Sequence, residues 1–164
     1  GYNEVTKNDD GDGFVHGVEL EAGYRITPEW LVHGGFSWME GIVSTYPTSG
    51  SVKKDAPIDK MQPAMGLIGI KWTHPSKKYW AEGIVTMVRR QHRLSPGDKA
   101  DTQRIPPGGT PGYATVTLRG GIKIHDRVTL SASVENIGDK DYRVHGSGQN
   151  ESGINAIFAI DAGL

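Results

Sequence analysis

The 164-residue sequence has no cysteine, which removes disulfides, thiol nucleophiles and thiolate metal sites while leaving the compartment open. It lacks any run of about 18 apolar residues, so no segment is suited to cross a membrane as a helix. Positive charge in excess is also missing: 18 Lys and Arg stand against 19 Asp and Glu, a net charge of −1. Nucleic-acid binding, which rests on a basic patch, is therefore not expected. No P-loop and no dinucleotide fingerprint occurs, and Gly146-Ser147-Gly148 is not a G-x-S-x-G nucleophile elbow. The six histidines (His16, His33, His74, His92, His125, His145) show neither helical i,i+4 pairing nor metal-ligand spacing. Neither an enzyme, nor a resident metal, nor a cofactor is expected.

What the chain does have is glycine, 23 residues of it, and alternation. Between Thr115 and Ile124 the residues Val116, Leu118, Gly120, Ile122 and Ile124 oppose Thr115, Thr117, Arg119, Gly121 and Lys123. After His125-Asp126-Arg127 the pattern resumes, with Val128, Leu130, Ala132 and Val134 against Thr129, Ser131, Ser133 and Glu135. A period of two means β-strands with one apolar and one polar face. Seven strands can be marked this way: about 15–26, 30–45, 64–73, 79–91, 115–124, 128–135 and 154–164. The fold expected is all-β, an antiparallel up-and-down meander.

The connections carry a second signal. Those at 26–29, 74–78 and 125–127 are short, whereas 46–63, 92–112 and 142–153 are long. Short turns at one end and long loops at the other are the habit of outer-membrane barrels, and alternating strands escape hydropathy averages. Trp30, Trp72 and Tyr79 lie beside the short turns, and Trp38 lies toward the long loops, as an interfacial girdle requires. A soluble core could also absorb these aromatics, so a soluble β-sandwich or lectin-like module stands as the alternative. A passive outer-membrane porin or adhesin is the other.

The wording near the end narrows the choice. The stretch 136–143, Asn-Ile-Gly-Asp-Lys-Asp-Tyr-Arg, and the stretch 145–153, His-Gly-Ser-Gly-Gln-Asn-Glu-Ser-Gly, resemble the close of a TonB-dependent outer-membrane receptor. In that family an N-L-x-D-x-x-Y-R segment ends the penultimate strand and a loop reading H-G-S-G-x-N-E-x-G leads into the last. Here Ile137-Gly138 replaces the usual Leu and its neighbour, and Ser152 stands where Pro is common. Gly17-Val18-Glu19-Leu20-Glu21, the basic run 89–93 and the re-entry Thr110-Pro111-Gly112-Tyr113 fall in the family's order and spacing.

The resemblance implies that residues 1–164 form the C-terminal portion of a transmembrane barrel, without the plug domain and the earlier strands. It implies a bacterial outer-membrane location and active uptake of a scarce nutrient such as a ferric siderophore, haem or cobalamin. The partners implied are outer-membrane lipid and lipopolysaccharide, the N-terminal plug of the same protein, the TonB complex, and the small-molecule nutrient. Glu19, Glu21, Arg25, Glu82, Arg119, Lys123, Glu135 and Asp161 would then face the lumen. Nothing in the sequence resembles a signal peptide, so a longer parent protein is expected. Its chain should run on past Leu164 to an outward aromatic about two positions further along the same period.

Two constellations are candidate sites. Arg89, Arg90, His92 and Arg93 form a basic cluster at the long-loop end of a strand, suited to an anionic nutrient or to lipopolysaccharide phosphates. His145 joins them as a loop histidine of the kind that grips haem or metal chelates in the resembling family. Asn8, Asp10, Asp12 and Glu19 approximate the ligand spacing of a calcium loop. The strand-like alternation from Gly17 denies that loop its flanking helix, so it is read as a polar connection with loop-bound calcium as the alternative.

Overall fold

Alternation becomes a single antiparallel sheet in a computed structural model that describes residues 12–45 and 53–163. The elements are β1 (Gly13–Arg25), β2 (Trp30–Thr45), β3 (Lys54–Pro57), β4 (Met65–Thr73), β5 (Tyr79–Val88), α1 (Pro96–Ala100), β6 (Tyr113–His125), β7 (Val128–Glu135) and β8 (Asn155–Ala162). Each long strand pairs with the next in sequence, giving the order β1-β2-β4-β5-β6-β7-β8. β3 adds only to the far end of β2, through Ile42 to Thr45. Among the described residues the sheet is open, with β1 and β8 at its edges.

The register sorts every side chain to one of two faces. Leu31, Lys71, Glu82, Arg119 and Ser133 lie in one cross-strand row, and Val32, Ile70, Gly83 and Leu118 lie in a row on the opposite face. The first face also carries Glu19, Glu21, Arg25, Lys123, Glu135 and Asp161, the charges expected in a lumen. On the second face Leu20, Ile68, Leu118, Ile160 and Phe158 stand open, Phe158 at 81% exposure. A soluble sheet covers such a face, and uncovered apolar area on this scale marks a surface made for another phase. No second sheet packs on either face among the described residues, which is unlike a sandwich.

Three details differ from the pattern read in the sequence. The long connection after β2 contains β3, an eighth strand too short for a period to show. The fifth strand stops at Val88 and not Gln91, although Gln91 still meets Thr110 in an isolated bridge. The hairpin at 125–127 is tighter than expected: His125 remains in β6, and the register shifts between Lys123 and His125. A bulge of this kind bends the strand at a barrel rim. Leu164 lies outside the described residues, as do 1–11 and 46–52.

Buried apolar side chains are few, and their location is informative. Among the described residues they are Ala56, Leu94 and Ile105, the last with 1% of its surface exposed. None belongs to the seven long strands. The packed interior sits in the long connections at one end.

Candidate functional site

That end is built around a short helix. Ser95 caps α1: its hydroxyl accepts from Asp98 N at 2.8 Å, and the Asp98 carboxylate accepts from Ser95 N at 3.2 Å. Pro96 suits the first helical turn, where its missing N–H has no intrahelical partner to lose. The other Asp98 oxygen accepts from Lys60 N at 2.9 Å, so one buried carboxylate ties the segment after β3 to the β5–β6 connection. Gln91 adds a second tie, donating to Met61 O at 2.6 Å while its backbone exchanges two hydrogen bonds with Thr110.

The third loop is joined through His145. Its Nδ1 is 2.9 Å from Thr110 Oγ1, the residue is 95% buried at 5% exposure, and its Nε2 has no partner among the described residues. Burial pushes its pKa below the usual 6.5, against a smaller upward pull from Asp98. The sequence reading made His145 a candidate nutrient contact; the structure places it inside the cap as a link between loops. Upstream, Asn136 and Asp139 take positive φ of 49° and 48°. Asn136 recovers that strain by accepting from Lys140 N at 2.9 Å and donating to Lys140 O and Ser152 O. This is the physical content of the Asn-Ile-Gly-Asp stretch, since Asn and Asp tolerate the left-handed region better than most residues. Tyr142 then lies on Tyr113 with ring centroids 4.2 Å apart.

The basic cluster is exposed, and it lines a cavity of about 210 Å³ together with Trp38, Met39, Glu40 and Met61. The cavity opens where β4 ends at Met65 while β2 runs on. Arg90 donates to Gly108 O at 2.9 Å, and Arg93 forms an ion pair with Glu40. Arg89 and His92 have no side-chain partner among the described residues. Of the calcium-loop residues, Asn8 and Asp10 lie outside the described residues. Asp12 precedes β1 and Glu19 sits within it; seven extended residues hold them about 23 Å apart, too far to share one ion. No cluster of metal-ligating residues occurs among the described residues.

Glu82 and Arg119, both expected on the lumenal face, meet in a further constellation whose third member, His33, the sequence did not single out. On the charged face Glu82 is sequestered, its side chain 2% exposed, between His33 Nε2 and Arg119 Nε at 2.6 Å each. Lys71 stands beside it with its ammonium 4.9 Å from the Trp80 ring centroid. Gly69 and Gly121 make this possible, because a Cβ at either would overlap the His33 imidazole or the Trp80 indole. His33 and Glu82 are 49 positions apart, so only the strand register reveals the pair. The one signal available was glycine on the polar face opposite bulky residues.

An open sheet with an uncovered apolar face, a charged opposite face and a built cap at one end is a segment of transmembrane β-barrel wall. The family is settled by sequence: the model of the TonB dependent receptor-like β-barrel matches residues 2–137, and the chain belongs to that family. Its place is the bacterial outer membrane. Among solved structures the chain resembles the copper transporter OprC, with 21% identity and a TM-score of 0.70 over 92% of this chain and 23% of that one. It also resembles the siderophore receptor PiuA from Acinetobacter baumannii, at 13% identity and a TM-score of 0.61 over 92% of this chain and 22% of that one. The chain thus spans less than a quarter of either structure. No curated protein sequence matches it.

Proposed function

We propose that this chain is the C-terminal barrel wall of an active outer-membrane receptor for a scarce nutrient, a ferric siderophore, haem or cobalamin. The observation that carries the reading is the asymmetry of the molecule. Apolar side chains cover the outside, a row of charges lines the inside, and one end alone carries a cap locked by buried hydrogen bonds. A rigid cap costs conformational entropy, which a passive pore has no reason to spend and a ligand basket recovers as preorganisation. Arg90 supplies a cationic contact for an anionic nutrient and His92 a hydrogen-bonding ring beside it, while His145 holds the loops that present them. A plug domain N-terminal to this segment fills the lumen against the charged face, and the TonB complex energises release.

The test is uptake by cells carrying the full-length receptor, assayed with radiolabelled ferric siderophores, haem and cobalamin. Saturable uptake of one of them, abolished by a protonophore, is expected. Entry that persists without proton-motive force would show a passive pore.

A further inference from the structure

The basic cluster is not one patch, because the strands deal its members to different sides. On β2, Trp38 and Glu40 share the face of Val32 and Phe36, which is the apolar outer face. On β1, His16 pairs with Glu40, and Phe14 precedes it on the same face. The rings confirm this placement: Phe14 stacks on His16 with centroids 5.6 Å apart, and His16 meets Trp38 edge-on at 5.4 Å. Arg93 is drawn to this side by its ion pair with Glu40. Arg89 continues the outward series of Val85 and Met87, and its N–H donates to Ala64 O as the ladder's next rung. Arg90 falls on the opposite side.

From Trp30 to Glu40 the outer face spans ten residues, about 33 Å along the strand, which at a barrel-strand tilt of about 40° rises about 25 Å, the height of the apolar band. Arg89, Arg93 and His16 therefore stand at the level where that band ends on the long-loop side. One carboxylate, Glu40, is opposed to them. It is paired with Arg93, and the Arg89 side chain has no partner among the described residues.

We infer that this outward corner is a seat for the phosphorylated headgroup of lipopolysaccharide. Arg89 and Arg93 take a lipid A phosphate by charge-assisted, forked hydrogen bonds. Phe14, His16 and Trp38 lie beneath as the amphipathic ring layer that favours the interface, and Glu40 holds Arg93 in position. The cleft beside Arg89 and Arg93 admits the sugar edge of the headgroup. The inference deepens the outer-membrane reading, yet it does not depend on which nutrient is carried.

The experiment uses full-length receptor in detergent, with binding followed by native mass spectrometry. The probes are bis-phosphorylated lipid A, the same lipid A after phosphatase treatment, and phosphatidylglycerol. Wild type should hold the bis-phosphorylated form at least about tenfold more tightly than the other two, a difference of the size expected for loss of one charge-assisted pair. The double variant Arg93→Gln/Glu40→Gln, which leaves no unpaired carboxylate, and the single variant Arg89→Gln should each lose most of that preference. Both should keep the heat-modifiable gel mobility of a folded barrel. Equal binding of all three lipids, or variants that bind as wild type does, overturns the inference. Variants that keep lipid A and lose the nutrient assign the corner to the nutrient and overturn it as well. A wild type that holds lipid A but transports nothing refutes the transport reading alone.

Discussion

The sheet and the cap are held together by opposite means. In the sheet seven antiparallel pairings hold the strands through their backbones, yet neither face covers its side chains. In the cap ladders are nearly absent, and stability comes from side chains pulled out of water: Ile105, Ser95 and Asp98 are at 1%, 0% and 2% exposure. The environments account for the difference. Strands in a bilayer obtain their apolar surroundings from lipid, so they need no core of their own. Loops above the membrane meet water and must fold like a small soluble domain. Glu82 is the exception in the wall, a buried charge where most neighbours are open.

The strongest way to break this contrast is to place a charge on the outer face. Leu118→Arg in the full-length receptor, in the middle of β6, should cost about 2–4 kcal/mol at the bilayer midplane and abolish assembly in the membrane, whereas Leu130→Arg, beside the 125–127 turn, should cost less. Thr117→Arg or Ser133→Arg, on the same two strands but facing the lumen, should assemble with little loss. The readout is heat-modifiable mobility of the membrane fraction. Equal damage from both faces would mean that the sheet does not divide into one lipid face and one lumenal face.

Much of the wall was legible because its period is short-range. Alternation from Thr115 to Glu135 placed β6 and β7 within two residues, and the alternation read on each strand put all eight charges expected in the lumen on one face. The cap was legible only as loop length. Its ties run from Lys60 to Asp98, from Met61 to Gln91 and from Thr110 to His145, spanning 30 to 38 positions. No local pattern encodes contacts at that range between irregular segments. For the same reason His145 read as a free loop histidine and His33 as a residue without a role. The Ser95 capping box was local and could have been found: Ser95-Pro96-Gly97-Asp98 is a helix start signal of the S-x-x-D kind.

A second set of changes separates the wall's buried charge from its ladder. Arg119→Met leaves Glu82 with His33 alone, and because Arg119 is about half exposed (46%), the loss should be about 2 kcal/mol, below the figure for a fully buried pair. Adding Glu82→Gln to Arg119→Met should restore most of it, because the stranded charge is then gone. Urea unfolding of the barrel in lipid vesicles reads both. If the double variant proves no better than the single, Glu82 is not strained by losing its partner. In the cap, Ser95→Ala removes the N-cap oxygen and should cost about 1 kcal/mol. The loss should appear in amide exchange across 89–112 and leave the strands unchanged.

The smallest effect and the finest test of the contrast is acid. His145 has its pKa lowered by burial, so the closed cap binds fewer protons than the open one. Stability from this group is complete above the open-state value of about 6.5 and is lost progressively as pH falls below it, since protonation then favours the open loop. Asp98 opposes the shift without cancelling it. Protonation would place a charge beside Thr110 with Nε2 still unpartnered, a state that water relieves only by opening the loop. Amide exchange, corrected for its intrinsic pH dependence, should therefore quicken around residues 143–147 and at Gln91 and Thr110 between pH 7.5 and pH 5.5. Amides of β6 and β7 should not change. His145→Gln should remove the pH response, because an amide keeps polar contact with Thr110 and does not titrate in this range. If the response survives that substitution, another group opens the cap. If β6 and β7 loosen in step with the loops, the cap and the wall are one cooperative unit and the division drawn between them fails.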